Sequence, residues 1–409
     1  MELRVTYISS ALWTLLGSPF AFADIACDKS YGLRVDVSGR TGVVICDSSS
    51  ESFVDSINDF KRSNINYTKT SAVSAFGRFN DVDLALSYAA RSTKLVYAFP
   101  QLGDAGSFTG ATRKESQQMF EDYIKTSGIM GQIMNYQARN SPTSPITGAG
   151  GLVPMTIASD FNANFSDSPT AIAGPSGAGN SDNLIGAQLN FASFNMDNTS
   201  DRVKTTSIPF SYTLRNDIDP RRQLIFRVPV TYVEVGVART IQAGLGVSYR
   251  IPLSDQWTLT PGAGYSFVES RDRASLASLY SASLSSAYVM PLGGFDLSIG
   301  NMLGYYATGR FSAGNYYSYD PDLKYVATRN GVMLSHPISL GKKFGVQYSL
   351  IDTRYLGGEK PYVDNFQELG VTLGTNPSAL DARSFVRAGF TYIQGPGTRG
   401  LAANIGYWF

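Results

Sequence analysis

The 409-residue chain contains too little of several residue types for some common kinds of protein. It has one histidine and two cysteines, so a multi-histidine metal centre, a cysteine-rich zinc module and a disulfide-dense scaffold are excluded. Charged residues make up 16% of the chain, below the roughly 25% of ordinary soluble domains. With a formal net charge of +1, the chain lacks the excess of basic residues that nucleic-acid-binding proteins have. No run of about 18 apolar residues follows the amino terminus, which excludes a bundle of membrane-spanning helices.

The amino terminus, residues 1–23, has the pattern of a secretory signal peptide. Arg4 precedes a mostly apolar run, and the small residues Ala21 and Ala23 predict cleavage after residue 23. We therefore expect the mature chain to reach an oxidising compartment, where Cys27 and Cys46 form a disulfide. The alternative, lipidation of Cys27, is disfavoured because the preceding residues lack the leucine expected there.

The first part of the mature chain predicts three regions. Residues 24–102 predict a small mixed α/β segment, with a hairpin, a short helix and two alternating strands. Residues 103–140 predict a helix, because Thr112 and Glu115 form a capping-box pattern before an apolar face. At roughly 40 Å this helix is long enough to traverse a pore; alternatively it packs on the N-terminal segment. Residues 141–182, rich in Ser, Pro, Gly and Ala, predict a linker or an irregular plug.

From residue 183 onward apolar and polar residues alternate repeatedly, which only strands explain. Residues 241–249 and 257–267 are the clearest examples. Twelve such segments begin near Leu184, Thr205, Gln223, Val237, Gln256, Leu276, Phe295, Leu323, Phe344, Phe366, Ser384 and Leu401. Each is about ten residues or longer, enough for a tilted strand to cross a bilayer.

The polar face of these strands favours a barrel in a membrane over a soluble β-sandwich. A solvated sandwich face usually carries Lys, Glu and Asp, whereas this face is mostly Gly, Ser and Thr. Short connections, such as residues 291–294, alternate with longer ones, such as residues 309–322, as in outer-membrane barrels. The predicted fold is therefore an all-β, transmembrane antiparallel β-barrel of about 12 strands over residues 183–409. A 14-strand barrel that recruits residues 82–88 and 93–99 is the alternative topology.

Several charged residues fall on the inward face of the predicted barrel and line its lumen. They are Arg215, Arg227, Arg250, Arg329, Glu368 and Arg387. These arginines are expected to pair with Glu115, Glu121 and Asp122 of the predicted helix, or to make a lumen that favours anions. A solvated lumen with scattered charges is the third alternative. Inward glycines, including Gly300, indicate either wall curvature or room for a threaded segment.

The last strand resembles the assembly signal of Gram-negative outer-membrane barrels. Its apolar residues alternate up to a terminal aromatic; they are Leu401, Ala403, Ile405, Tyr407 and Phe409. Such a strand is expected to bind the barrel-assembly machinery. With its C-terminal barrel and preceding helix, the chain resembles the translocator of autotransporters, and the resemblance covers about residues 183–409. It implies a helix in the pore and an N-terminal passenger, although the upstream region is short and a linker separates helix from barrel.

Three functions follow from this pattern. The first is an outer-membrane barrel that resembles a solitary autotransporter translocator, with its pore plugged by an N-terminal helix. The alternative is an anion-favouring outer-membrane channel. The third, a hydrolase, is disfavoured because His336 is expected to face lipid while the nearby Ser339 faces the lumen. Acid pairs in loops, such as Glu269 with Asp272 or Glu359 with Asp364, have no distinctive spacing.

The expected setting is the bacterial outer membrane, with lipid as the main partner. We expect no enzyme activity, cofactor, metal or nucleic-acid partner. The loop that contains Tyr316, Tyr317 and Tyr319 is a candidate site for an external ligand, since exposed tyrosines often anchor partners.

Overall fold

The computed structural model describes residues 25–166, 183–313, 317–338, 344–375 and 385–408. These residues form an N-terminal α/β domain (residues 25–140), a connecting region, and a closed barrel. No helix among these ranges is both long and apolar enough to cross a membrane. The signal peptide predicted for residues 1–23 lies outside the described residues.

The N-terminal domain is built on one antiparallel sheet of six strands. The strands are β1 Tyr31–Val37, β2 Ile45–Asp47, β3 Val73–Phe79, β4 Val82–Tyr88, β5 Lys94–Phe99 and β6 Asp104–Thr109. Their spatial order is β2-β1-β3-β4-β5-β6. The helices are α1 Ser50–Asn58, α2 Arg113–Thr126 and α3 Ile129–Asn140. Two single-turn 3₁₀ helices, Phe60–Arg62 and Pro100–Leu102, complete the domain.

Alternation along these strands buries one face of the sheet against the helices. Leu33 and Val35 of β1, for example, are fully buried together with Phe53 of α1 and Phe120 of α2. Cys27 and Cys46 are joined by a disulfide whose Cα atoms lie 5.9 Å apart. The bond ties the first described residues to β2, the short strand at the sheet edge.

The structure corrects the predicted boundaries of this region. The sheet does not end at residue 102, because residues 104–109 form β6. The helix predicted for residues 103–140 begins only at Arg113 and is broken at Gly128, whose φ of +80° is left-handed. Both halves pack against the N-terminal sheet through Phe120 and Ile129, so this helix does not enter the barrel.

The barrel closes with twelve antiparallel strands, as predicted. They are β7 Leu184–Met196, β8 Val203–Arg215, β9 Gln223–Val235, β10 Ala238–Pro252, β11 Trp257–Ser270, β12 Ser275–Leu292, β13 Phe295–Gly309, β16 Lys324–Pro337, β17 Phe344–Gly358, β18 Asn365–Thr375, β19 Phe385–Gly395 and β20 Thr398–Trp408. Each starts within three residues of its predicted start, and β20 pairs with β7 to close the wall. Two short strands, β14 Phe311–Ala313 and β15 Tyr317–Tyr319, form a separate hairpin between β13 and β16. The 14-strand alternative is wrong, because residues 82–88 and 94–99 belong to the N-terminal sheet.

The outer surface of the barrel is apolar around its circumference. Exposed outward residues include Leu245 on β10, Leu284 on β12, Leu369 on β18 and Phe390 on β19. Inward positions of the same strands carry Gln242, Ser285 and other small or polar residues. An exposed apolar band of this extent fits contact with lipid rather than with water.

The two ends of the barrel differ. At one end, called the loop end, six connections lie between strands, at residues 197–202, 236–237, 271–274, 310–323, 359–364 and 396–397. The opposite end, called the turn end, carries the other five connections and both ends of the barrel sequence, near Leu184 and Trp408. The N-terminal domain sits on the loop end, where it contacts residues of several loops, among them Asp201 and Arg273.

Candidate functional site

The barrel lumen contains a helix that the sequence pattern did not predict. This helix, α4 Leu152–Phe165, lies in the region 141–182 that was predicted to be an irregular linker or plug. It packs against β10, β11, β12, β13 and β16. The remainder of that region, residues 167–182, lies outside the described residues.

The buried side of α4 fits recesses in the wall. Ile157, Phe161 and Phe165 share an apolar cluster with inward barrel residues such as Met302. A Cβ atom added to Gly300 would lie 2.3 Å from the Phe165 ring, so a larger residue there would clash with α4. The prediction that inward glycines make room for a segment in the lumen is therefore supported at Gly300.

A buried ion pair joins the middle of α4 to the wall. Arg227 of β9 donates to the Asp160 carboxylate at 3.0 Å and to the Ser159 hydroxyl at 3.1 Å. Tyr306 of β13 donates to the second Asp160 oxygen at 3.3 Å. Asp160 and Arg227 are 6% and 7% exposed, so removal of either partner would leave a buried charge without its counterion.

Two further arginines bind the C-terminal end of α4. Arg250 donates to the carbonyl oxygens of Ala163 at 2.8 Å and Asn164 at 3.4 Å. Arg387 donates to the carbonyl oxygen of Ser166 at 2.8 Å. Carbonyls at a helix C-terminus have no partner within the helix and carry partial negative charge, so cations stabilise this end.

Arg329 of β16 links its strand to two others, β17 and β18, beneath the same helix. It makes two hydrogen bonds to Glu368, at 2.7 and 3.0 Å, and a third to Thr353 at 2.7 Å. Its guanidinium also lies 5.4 Å from the centroid of the Phe161 ring. The pair with Glu368 balances its charge within the wall.

The six charged residues predicted to line the lumen thus contact α4, contact one another, or border the remaining space. Arg215 borders a cavity beside α4. The predicted partners of the arginines were wrong. Glu121 pairs with Lys125 at 2.6 Å, Asp122 accepts from Gln118, and Glu115 accepts from a backbone amide, all within the N-terminal domain.

Beside α4 the described residues leave a cavity of about 360 Å³. It runs from Gly150, near the loop end, to Arg215 and Trp408, near the turn end. Its walls are α4 on one side and mainly β7, β8, β9 and β20 on the other. The apolar part of its lining is larger than the polar part, to which Gln188 and Asn190 contribute.

The residues considered for catalysis do not come together. The His336 ring packs between the outward rings of Phe295 and Tyr348, with centroids 5.3 and 6.0 Å away, so it faces the exterior. Ser339 lies outside the described residues. Among the described ranges, no group of three or more His, Cys, Asp or Glu residues is arranged to hold a metal.

The loop carboxylates pair with basic or amide groups instead of with each other. Glu269 pairs with Arg271 at 3.2 Å, and Asp272 accepts from the Arg239 amide at 2.8 Å. Glu359 lies 3.8 Å from Arg139, and Asp364 lies 3.7 Å from Lys360.

The residues of the predicted assembly signal face outward on β20. Leu401 and Ile405 are more than half exposed, and Ala403 and Tyr407 share their face. Phe409 lies outside the described residues, as does Tyr316 of the proposed ligand loop. Tyr317 and Tyr319 belong to β15, and Tyr319 packs against apolar clusters of both the N-terminal domain and the barrel. A role of this loop in binding an external ligand stays a prediction.

Comparison with known proteins gives similarity at the level of the barrel. No protein-family model and no curated protein sequence matches the chain. The chain is similar to the beta domain of the Bordetella autotransporter BrkA, with 13% identity and a TM-score of 0.44, over 56% of this chain and 98% of that one. It is also similar to the translocator domain of the autotransporter NalP from Neisseria meningitidis, with 12% identity and a TM-score of 0.45, over 63% and 96%.

Channels are among the similar structures too. The KdgM porin in complex with disordered oligogalacturonate shares 11% identity, with a TM-score of 0.32, over 54% of this chain and 98% of that one. These structural neighbours are outer-membrane barrels that include both translocator domains and porins. Similarity at this level concerns the barrel fold and does not assign an activity.

Proposed function

We propose that this chain is a non-enzymatic outer-membrane barrel of the translocator type, which holds its N-terminal domain at the cell surface and keeps its pore closed. The observation that carries the proposal is the path of α4. It starts at Leu152 near the loop end and ends at Phe165 near the turn end, where the first barrel strand begins. The chain therefore passes through the lumen between the N-terminal domain and the barrel.

The orientation follows from the ends of the barrel. In bacterial outer-membrane barrels the longest connections face outward. Here the longest connection, residues 310–323, lies at the loop end, whereas the other connections at the two ends are of similar length. The N-terminal domain is docked on the loop end, so this orientation puts it outside the cell. A predicted signal peptide at residues 1–23 supports export across the inner membrane first.

The wall arginines support a lumen built to retain α4. Arg227, Arg250 and Arg387 contact the middle and the C-terminal end of the helix. The same arginines are the reason to consider an anion-favouring channel as the second candidate. Two of the inward arginines, Arg227 and Arg329, pair with carboxylates, and this pairing weakens the case for an anion channel.

Surface display is tested by labelling single cysteines in intact cells. Ile65 in the N-terminal domain is 81% exposed, and Ile218 in a turn-end connection is 95% exposed. A membrane-impermeant maleimide is expected to label Ile65→Cys in intact cells. It should label the matched control Ile218→Cys only after the outer membrane is permeabilised. The reverse pattern would refute the orientation.

The closed pore is tested by conductance in planar bilayers. The full chain is expected to show no stable open steps, whereas a chain lacking residues 25–166 should conduct continuously. Equal conductance of the two chains would refute a closed pore. If the full chain conducts with strong anion selectivity that Arg215→Ala and Arg387→Ala remove, the channel function is the better description.

Outer-membrane insertion also requires an assembly partner. The outward face of β20, with Leu401 and Tyr407, is the part that we propose to bind the barrel-assembly machinery. Replacing both residues with serine should lower the amount of folded barrel in the membrane while leaving synthesis unchanged. Unchanged folded barrel would contradict this role.

A further inference from the structure

Helix α4 does not fill the lumen. It packs on the side formed by β10–β13 and β16, and the cavity of about 360 Å³ remains along β7–β9 and β20. The cavity volume corresponds to roughly a dozen water molecules at about 30 Å³ each. Among the described residues, α4 alone therefore leaves a cavity of mixed polar and apolar lining beside it, with room for water.

The loop end, in contrast, is packed tightly by residues 141–151, here called the stopper. The described side chains of the stopper from residue 141 to 150 are all buried, and Ile146 is 1% exposed. Ala149 joins an apolar cluster with the inward residues Phe194, Val203 and Val233. One small space of about 10 Å³ lies between the stopper and the wall, at the lower limit of what a single water molecule occupies. The buried stopper therefore narrows the lumen at the loop end.

The N-terminal domain covers the stopper and is fastened to the loops by two buried polar clusters, here called the clasp. In the first cluster, Asp201 of the loop between β7 and β8 accepts from Ser48 at 2.6 Å and from Lys29 at 3.2 Å. Asp201 is 7% exposed and Ser48 is 1% exposed. A Cβ on Gly236 would lie 2.5 Å from Asp201, so the neighbouring loop also approaches closely.

The second cluster centres on Arg273 of the loop between β11 and β12, which is fully buried. The Asn80 amide donates to the Arg273 carbonyl at 2.8 Å, and Tyr31 donates to the Asn80 side chain at 2.6 Å. The Arg273 guanidinium donates to Thr143 of the stopper at 3.1 Å and lies 3.9 Å from Asp81. Arg273, a residue of the barrel loop, thus contacts the N-terminal domain through its carbonyl and its guanidinium, and the stopper through its guanidinium.

We propose that the clasp, rather than α4, shuts the pore: it holds the N-terminal domain down on the stopper and thereby seals the loop end. The proposal rests on the proposed function but makes a different claim about closure. The N-terminal domain is then a fixed lid of its own barrel, recognised by buried charges that specify one docking geometry. α4 serves as a tether that, among the described residues, leaves the cavity beside it unfilled.

Two variants of the full chain distinguish closure of the pore by the N-terminal domain, the lid, from closure by α4, the tether. The clasp variant combines Asp201→Ala with Arg273→Ala, and the tether variant combines Asp160→Ala with Arg227→Ala. The control combines Arg271→Ala with Asp255→Ala, whose side chains are 91% and 88% exposed. Heat resistance of the folded barrel in detergent is measured for all, so that misfolded samples are discarded.

Conductance in planar bilayers gives the first readout. The clasp variant is expected to conduct although α4 is intact, whereas the tether variant and the control stay closed. If the tether variant opens and the clasp variant stays closed, α4 is the seal and the proposal is wrong. The proposed function survives that outcome, since it requires only that residues 25–166 close the pore.

Accessibility of the stopper gives a second readout that does not depend on current. Ser144 is 2% exposed, and Ser144→Cys is expected to react slowly with a hydrophilic thiol reagent added to the loop side. In the clasp background the rate should rise on the order of a hundredfold, because the loss of two ion pairs, each with one buried member, favours opening of the lid. An equal rate in the clasp and control backgrounds would overturn the proposal, and it identifies a lid held by other contacts.

Discussion

Replacing Leu245 with lysine would put a charge at the middle of the apolar band, in the hydrocarbon core of the bilayer. Leu245 is the central residue of β10, which spans fifteen residues, and its side chain is 65% exposed on the outer face. At about 3.4 Å per residue and a tilt of about 40°, β10 rises roughly 39 Å along the barrel axis. In a hydrocarbon layer about 25 Å thick, Leu245 then lies about 12 Å from either boundary.

A lysine at this depth should cost about 2–4 kcal/mol of unfolding free energy. Val237 is the matched control, because it is 66% exposed but lies in a loop-end connection. Val237→Lys should cost about 0–1 kcal/mol, since the charge reaches water. Urea titration of the chain folded in lipid vesicles, followed by tryptophan fluorescence, measures both. Equal costs at the two positions would refute burial of the band in lipid.

Three further predictions concern particular contacts. In the same urea titration, Asp160→Ala should lower the unfolding free energy by about 3–5 kcal/mol, because Arg227 stays buried without its partner. Adding Arg227→Met should restore part of this loss. A loss below about 1 kcal/mol would contradict a stabilising role of the Asp160–Arg227 pair. Arg113 donates to four backbone carbonyls, and its guanidinium lies 4.5 Å from the centroid of the Tyr88 ring. In thermal unfolding of the N-terminal domain, Arg113→Met should lower stability by roughly 3 kcal/mol and Arg113→Lys by nearly as much, because only the planar guanidinium has this set of donors. Full stability of the lysine variant would contradict this explanation. A hydrogen bond from Arg221 is the main cause that lowers the pKa of the Asp219 carboxyl. The turn is therefore fully stabilised at pH values above the ordinary carboxyl pKa of about 4, and it loses this stabilisation as the pH falls through the lowered pKa. Over that acidic pH range, amide exchange in the turn, corrected for intrinsic rates, should accelerate in the wild type but not in Asp219→Asn.

The barrel was predictable because its signal is local. Alternation with a period of two depends only on which face of a strand meets lipid, so the segments beginning near Gln223 and Phe295 were identified from their own residues. The same period predicted that Arg227 and Arg329 face inward. It could not identify the partner of Arg227, because that partner depends on which distant segment enters the lumen. Arg227 contacts Asp160, 67 residues earlier in the chain.

The lumenal helix was missed because helices are usually detected by one apolar stripe with polar residues on the opposite face, and the surroundings of α4 do not require such a stripe. α2 and α3 bury apolar residues, Phe120 and Ile133 among them, against a sheet, and so show the apolar stripe that sequence analysis detects. The residues of α4 meet a wall that is apolar on one side and polar elsewhere, so Ser159, Asp160 and Asn164 are as necessary as its apolar residues. Such a helix mixes apolar and polar residues on its buried side, so its sequence lacks the helical periodicity by which α2 was predicted.

The same contrast explains which helix entered the lumen. A helix with a wide apolar stripe is most stable against another apolar surface, and the N-terminal sheet supplies one within the same domain. A helix with mixed faces gains more from a wall whose arginines bind its carboxylate and its terminal carbonyls. The one acid within residues 141–166, Asp160, lies three residues after Ile157 and directly before Phe161. An acid flanked by apolar residues at helical spacing, upstream of a barrel with inward arginines, is therefore the signal by which a lumenal helix of this kind can be predicted.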